Sequence, residues 1–313
     1  MTPTVPLAEV ERAAERIRSL VVRTPLLESE RLGAELGVRV LVKAENLQHT
    51  GSFKLRGALN TLLGWQEDGE LPTGVATFSA GNHGAAVAHA ARLAGIPAVV
   101  CMPPAAVASK VEAVRGRGAE VVFTDDLLGT CRALCEERGH RLLHPFDDPA
   151  VIAGQGTVGL EVLQDCPDVD LLVVPVGGGG LISGTAVVAR AVKPGVRVAG
   201  VEPLTANGVS HGLRVGRPEP LPVRPVSLAD GLAAPFAGEH TLAHVRELVD
   251  RVVEIDEQSI RDAWWPLVDA TKLLVEPSAA VGLAALRSGA LPLGDARVVV
   301  LVLSGGNTAA TLG

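Results

Sequence analysis

LLVVPVGGGGLISG, Leu171 to Gly184, is the stretch that decides the fold. A short apolar run, Leu171 to Val176, meets four consecutive glycines, Gly177 to Gly180. A run of small residues with helical character follows, and a second apolar run at 196–201 comes after it. Strand, glycine loop, helix and strand in that order make a parallel unit. Strands that are apolar on both faces belong to sheets covered by helices on either side. Only glycine lets four amides in a row curl around a ligand without Cβ clashes, and the following helix N-terminus adds its partial positive charge. The loop is therefore an anion site. It is not a P-loop, because no Gly-Lys-Ser/Thr follows. A dinucleotide fingerprint is the alternative: Gly178 and Gly180 fit GxGxxG and Glu202 follows the next strand, but Ser183 takes the third glycine's place.

Outward from this stretch the chain alternates in the same way. Strands are expected at 38–43, 74–78, 97–101, 119–123, 170–176, 196–201 and 297–303. Helices are expected at 54–65, 82–94, 107–117, 127–138, 157–165, 181–192, 257–272 and 277–287. The segment 203–240, rich in Pro, Gly and Ala, reads as an irregular surface excursion. The fold class is α/β: two open, mostly parallel twisted sheets covered by helices. A compact small domain at 70–144 is inserted into a large domain made of 1–69 and 145–313, with a ligand cleft between them.

The bulk numbers are consistent with this. At 313 residues the chain is long enough for two ordinary domains, and 47% hydrophobic against 20% charged residues supplies the core. The net charge of −7 is mixed along the chain, with no basic stripe, which excludes nucleic acid as the expected partner. The N-terminus lacks a signal-peptide core, and the longest apolar runs, such as Val298 to Leu303, are too short to span a bilayer. A cytoplasmic protein without membrane contact is expected. Four cysteines without CxxC spacing read as reduced thiols, and no metal is expected.

Among 28 basic residues only five are lysines: Lys43, Lys54, Lys110, Lys193 and Lys272. Arginine does not form Schiff bases at working pH, so imine chemistry would rest on one of these five. Lys43 lies in a strand, Lys110 reads as solvated, Lys193 sits in a turn and Lys272 in an apolar helical run. Lys54, in GSFKLRG beside Phe53, is flanked by small residues and a ring. The loop Ser79, Ala80, Gly81, Asn82, His83 ends a strand and opens a helix, a setting that suits a carboxylate. Asn82 alone could be a helix cap and His83 a core histidine. Ser304 is delivered at the C-terminal end of the apolar run Val298 to Leu303. Together these features call for a phosphorylated ligand, an imine-forming lysine, a carboxylate pocket and a hydroxyl for a ring atom.

In that order along the chain stand ENLQHTGSFKLRGA, SAGNHG, GAEVV, HPFDDPAVIAGQGTVGLE, PVGGGGLISG, ADGLA, KLLVEPSAA and LSGGN. The chain so marked resembles, nearly end to end, the fold type II, tryptophan synthase β-like pyridoxal-phosphate enzymes. Within them it is similar to the threonine/serine dehydratase (ammonia-lyase) and serine racemase branch. The resemblance implies pyridoxal 5'-phosphate as cofactor and a small amino acid as substrate. It implies that Lys54 forms the imine, Phe53 packs on the ring, and Gly177, Gly178, Gly179, Gly180 and Leu181 hold the phosphate. Asn82 would meet the ring hydroxyl, Ser304 the ring nitrogen, and Ser79 to His83, Ala80 included, the substrate carboxylate. A neutral serine at the ring nitrogen favours rapid loss of a β-substituent over a long-lived carbanion.

The expected activity is elimination of a β-hydroxy amino acid such as L-threonine or L-serine to a 2-oxo acid and ammonia. The alternatives are a specialised dehydratase (hydroxyaspartate or an aryl-serine), β-replacement, or serine racemase. From other classes come a nicotinamide oxidoreductase and a non-catalytic binding protein. Three departures from the branch stand out. Racemases resemble SSGNHG and use the second serine as base, where this chain has Ala80. Of a divalent-metal pattern, Glu202 and Ala206 match but Gly208 replaces the second acid. The chain ends soon after Asn307, so no isoleucine-regulated domain is expected. A dimer or tetramer is the oligomer the resemblance implies.

Overall fold

The computed structural model describes residues 4–79 and 81–308. In chain order the elements are α1 (Leu7–Ile17), β1 (Leu26–Glu28), α2 (Glu30–Leu36), β2 (Arg39–Ala44), α3 (Lys54–Glu67), β3 (Val75–Phe78), α4 (Asn82–Ala94), β4 (Ala98–Met102), α5 (Ala108–Arg115), β5 (Glu120–Phe123) and α6 (Leu127–Arg138). The chain continues with β6 (Arg141–Leu142), α7 (Pro149–Asp165), β7 (Leu171–Pro175), α8 (Gly180–Val192), β8 (Arg197–Pro203), α9 (Gly208–Val215), α10 (Glu239–Leu248), β9 (Arg251–Ile255), α11 (Glu257–Thr271), α12 (Pro277–Arg287) and β10 (Val298–Leu303).

The strands form two sheets: six strands in the order β1-β2-β10-β7-β8-β9, and four in the order β5-β4-β3-β6. Among the described strand pairs only β1–β2 is antiparallel. The α/β class with two open, mostly parallel sheets is thus what the chain adopts. The pleat explains the apolar runs. In β7, Leu172 and Val174 face a core shared with α1, α7 and α8, while Leu171 and Val173 face the opposite core with α11 and α12. The four-stranded sheet is covered in the same way: Val75 and Val100 face one core, Ala76, Val99 and Cys101 the other. The core on the Val75 side also takes in Leu55, Leu59 and Trp65 of α3 and Ile17 of α1.

Every expected strand and helix is present, most with shifted ends and the helices at 82–94, 127–138 and 277–287 with the ends expected, and the structure adds others. The segment 203–240 is not wholly irregular. It contains α9, short 3-10 turns at Leu204–Ala206 and Asp230–Leu232, and the start of α10. The carboxylate of Glu202 explains α9: it accepts from the amides of Val209 (2.9 Å) and Ser210 (2.8 Å), capping a helix whose own sequence signals little. Helix α7 starts at Pro149, eight residues before the expected 157, because Asp148 accepts from the amides of Ala150 and Val151. The glycines that disguised its first turns serve packing: a Cβ on Gly154 would lie 2.6 Å from the Arg56 carbonyl oxygen on α3.

Candidate active site

Three neighbouring strands of the large sheet deliver the candidate residues. β10 lies between β2 and β7, so the segments that leave their C-terminal ends meet, the usual place for ligands in open α/β sheets. The segment after β2 leads to Phe53 and Lys54, β10 ends at Ser304, and β7 runs into the glycine loop. Backbone bonds stitch these together: the Phe53 amide donates to the Ser304 carbonyl (3.1 Å), the Gly306 amide to Gly51 (2.9 Å) and the Glu276 amide to Gly305 (3.1 Å). One narrow cleft is lined by Phe53, Lys54, Asn82, Phe146, the loop Gly177 to Leu181, Gly231, Leu232, Glu276 and Ser304.

Lys54 opens α3, with Nζ donating to the Pro145 carbonyl (2.8 Å) and lying 5.2 Å from the centre of the Phe53 ring. Burial draws its pKa from 10.5 down to about 8. Its place at a helix N-terminus, where a cation is disfavoured, acts in the same direction. The other lysines are engaged elsewhere. Lys43 is buried and bonded to Glu161 (2.5 Å) and the Thr24 carbonyl (2.6 Å). Lys193 serves the carbonyls of Pro167 and Val169. Lys272 ends α11 with φ 58 and is exposed, not set in an apolar face. Lys110 is not solvated as expected: its side chain is 11% exposed, lies against Gly81 and pairs with Asp230.

The glycine loop leaves β7 and becomes the first turn of α8. Gly179 has φ 90, a left-handed conformation that L side chains avoid. A Cβ on Gly178 would lie 2.2 Å from ring atoms of Phe146, and one on Gly177 would lie 3.1 Å from the backbone of Leu232. The loop is a bare cradle of amides. Phe146 is held there by its neighbours: His144 Nδ1 accepts from the Asp147 amide (2.9 Å), and Asp147 accepts from the amides of Glu239 and Thr241 (3.0 Å each). Burial lowers the pKa of His144 to about 4, so it stands neutral.

From the loop after β3, Ser79 Oγ accepts from the Gly81 amide (3.0 Å). Ala80 lies outside the described residues. Asn82, the first residue of α4, donates through Nδ2 to Glu276 Oε1 (2.8 Å) and accepts from Asn307 Nδ2 (2.9 Å). His83 turns into the small-sheet core: it is 3% exposed, Nε2 sits 3.3 Å from the Leu143 carbonyl, and burial takes its pKa well below 6.5. Of the described residues of this loop, Asn82 lines the cleft with Lys54 and the others do not.

Sequence reasoning gave no role to Glu276, Phe146 or Pro145. Glu276 is 2% exposed, and its Oε2 has no hydrogen-bond partner. Burial raises its pKa to about 7, against the Asn82 bond and the charge of Lys110. A lone carboxylate inside the apolar run LLVEPSAA was the available signal. A wider groove along α1 and α7 has arginines in its wall, among them Arg16, Arg23 and Arg56, but these are paired with Glu67, Asp165 and Glu45. It presents no comparable chemistry.

Residues 17–305 match the family model described as pyridoxal-phosphate dependent enzyme. The chain belongs to that family. Its cofactor is pyridoxal 5'-phosphate. An L-threonine ammonia-lyase of Geobacter sulfurreducens is 45% identical over 307 residues, 97% of this chain and 76% of that one. An L-threo-3-hydroxyaspartate ammonia-lyase of Pseudomonas is 40% identical, over 96% of this chain and 94% of the relative. The solved structure of maize serine racemase superposes with a TM-score of 0.93 at 37% identity, covering 98% of this chain and 95% of the other. The family member is thus akin to both lyases and racemases. The cleft fits the cofactor: a Cβ-free cradle of amides at a helix N-terminus suits its phosphate, and a lysine of depressed pKa suits its aldehyde.

Proposed function

We propose that the protein is an ammonia-lyase that converts a β-hydroxy amino acid such as L-threonine or L-serine to a 2-oxo acid and ammonia. The observation that carries this reading is Lys54 Nζ in the cleft of the glycine loop, bonded to the Pro145 carbonyl and with a pKa near 8. Such an amine is a nucleophile at neutral pH and, once free of the cofactor, a base matched to its task.

Bound in this cleft, the cofactor supplies an electron sink for the bond broken at Cα. The amides of Gly177 to Leu181 would hold its phosphate, Phe53 would pack on its ring, Ser304 would meet the ring nitrogen and Asn82 the ring hydroxyl. Asn82 reaches that position already braced by Glu276 and Asn307. The substrate carboxylate would take the segment Ser79 to His83 at the start of α4. His83, neutral and turned toward Leu143, serves there through its backbone amide. Lys54 Nζ removes the α-proton from one face. Ala80 offers no proton donor or acceptor for the other, which supports elimination over racemisation. The three donors on Glu202, namely two amides and the Ser210 hydroxyl (2.6 Å), leave that carboxylate satisfied without a cation.

Release of 2-oxo acid over a panel of L-threonine, L-serine and L-threo-3-hydroxyaspartate tests the reading. Catalytic formation of the oxo acid and ammonia from at least one of them is expected. Formation of D-serine from L-serine as fast as pyruvate would contradict it.

A further inference from the structure

The first turn of α4, which the lyase reading gives to the substrate carboxylate, belongs to the segment 70–144. Among the ion pairs of the described residues, one joins that segment to the rest of the chain: Lys110 on α5 with Asp230. Arg138 with Glu120 and Arg141 with Glu70 stay inside it. The Lys110 side chain runs behind the turn. A Cβ on Gly81 would lie 2.8 Å from its Cδ and 3.3 Å from its Nζ. Asp230 opens the 3-10 turn Asp230–Leu232, which is fixed from both sides. The Gly231 amide donates to Ser278 Oγ on α12 (3.1 Å), and a Cβ on Gly177 of the glycine loop would lie 3.1 Å from Leu232 Cα. A Cβ on Gly231 would lie 3.1 Å from Glu276 Oε1, the oxygen that accepts from Asn82 Nδ2. The ion pair and the Asn82 bond thus cross the cleft side by side and land on one rigid spot.

We propose that Lys110 and Asp230 are positioning residues, whose ion pair clasps the first turn of α4 across the cleft and sets it for the substrate carboxylate. The proposal rests on the lyase reading above only for where that carboxylate binds. Neither residue makes or breaks a bond to a reacting atom. Lys110 is suited to the task because its stem packs on the turn while its ammonium reaches the other side. At 11% exposure its side chain is largely withdrawn from water, so its attraction to Asp230 is stronger than that of an exposed pair. Asp230 is 44% exposed, which leaves the pair open to screening by salt. Loss of either charge leaves the bonds of Asn82 to Glu276 and Asn307 to hold the turn. The turn's amides then sample more positions, and the substrate is the ligand that binds less well. The cofactor phosphate keeps its cradle, because the glycine loop stands on the other side of the clasp.

The test reads binding apart from turnover. L-2-aminobutyrate has the amine and carboxylate of a substrate and no leaving group, and its Kd for the holoenzyme is read from the shift of the visible band. Lys110→Met and Asp230→Asn are each expected to raise this Kd by about fivefold, the upper end for an exposed pair. The double variant should be no worse than either single one, because one interaction is lost once. Lys110→Arg, which keeps the charge, should restore most of the affinity. Added salt should weaken analogue binding in wild type more than in Asp230→Asn. Cofactor affinity should match wild type throughout. With the best β-hydroxy substrate, KM should rise as the Kd does and kcat should change less. A double variant showing the product of the two single effects would overturn the clasp, as would single variants that bind the analogue like wild type. An equal loss of cofactor affinity would overturn it too, since that marks damage to the fold at large. A wild type that binds the analogue but releases no oxo acid from any β-hydroxy substrate would sink the lyase reading, and the Kd cycle would still decide the clasp.

Discussion

At the scale of single residues, burial sets the chemistry. Lys54 and Glu276 share one cleft, and desolvation moves their pKa values toward each other, to about 8 and about 7. The shift of Glu276 has a thermodynamic consequence with a definite sign. Its folded pKa lies above the ordinary 4.5, so its contribution to stability is present below pH 4.5 and is lost as pH rises through 7. The cofactor-free Glu276→Gln protein should therefore lose less stability than wild type between those values, by at most about 3 kcal/mol. Urea midpoints at several pH values check this, and identical pH profiles would contradict it. Glu202, raised in the same way, carries the same sign in both proteins. A second expectation comes from the sequence, since Ala80 lies outside the described residues. Ala80→Ser should raise D-serine formation relative to pyruvate, read by chiral chromatography; an unchanged ratio would count against the assignment of the opposite face.

Lys54 was legible in the sequence because it was one of five lysines and the one beside an aromatic and small residues. Glu276 was not, because its importance comes from who surrounds it. Asn82, Gly231 and Gly305 come from distant segments, and nothing local marks the carboxyl as unpartnered. Lys110 misled for the related reason that its partner, Asp230, lies 120 residues away.

At the scale of elements, the glycine loop and the first turn of α3 shape the cleft. Gly178→Ala places a Cβ against Phe146, and the ring must move off the loop. Loss of one charge-assisted bond to the phosphate costs about 1.5–3 kcal/mol, or roughly ten- to over a hundredfold in cofactor affinity. Absorbance titration of the variant checks this, and a wild-type curve would place the phosphate elsewhere. The turn of α3 is fixed from behind by Arg56, which binds Glu45 (2.8 Å) and Glu161 (2.7 Å) with no exposure of its side chain. Lys43 completes a buried set of two cations and two anions with Glu161. Arg56→Met leaves an uncompensated buried carboxylate and should cost about 3–5 kcal/mol in urea unfolding. A loss under about 1 kcal/mol, the range of exposed pairs, would show the set to be weakly coupled. The long apolar strands were legible from composition alone. The short β1 and β6 were not, since two or three residues give no period, and α9 depends on a cap supplied by Glu202 from outside the helix.

At the scale of the whole molecule, the two sheets meet at one cleft. We propose that the boundaries at 70 and 144 follow the smaller sheet, whose strands all fall between them, while α3 serves its core from outside. Among the described residues, side-chain links that cross the cleft from that unit include Asn82 to Glu276, Asn307 to Asn82 and Lys110 to Asp230. Among the described residues no helix is long and apolar enough to cross a membrane. The architecture was legible because parallel strands buried on both faces leave a strong apolar signature. The joining of distant loops was legible only through the order of motifs. All of it converges on the claim that the cofactor is bound to Lys54. Borohydride reduction of the holoenzyme followed by peptide mapping tests that claim directly. The visible band should be lost and one pyridoxyl group per chain should appear on the peptide containing Lys54; label on Lys43, Lys110, Lys193 or Lys272 would contradict binding at Lys54.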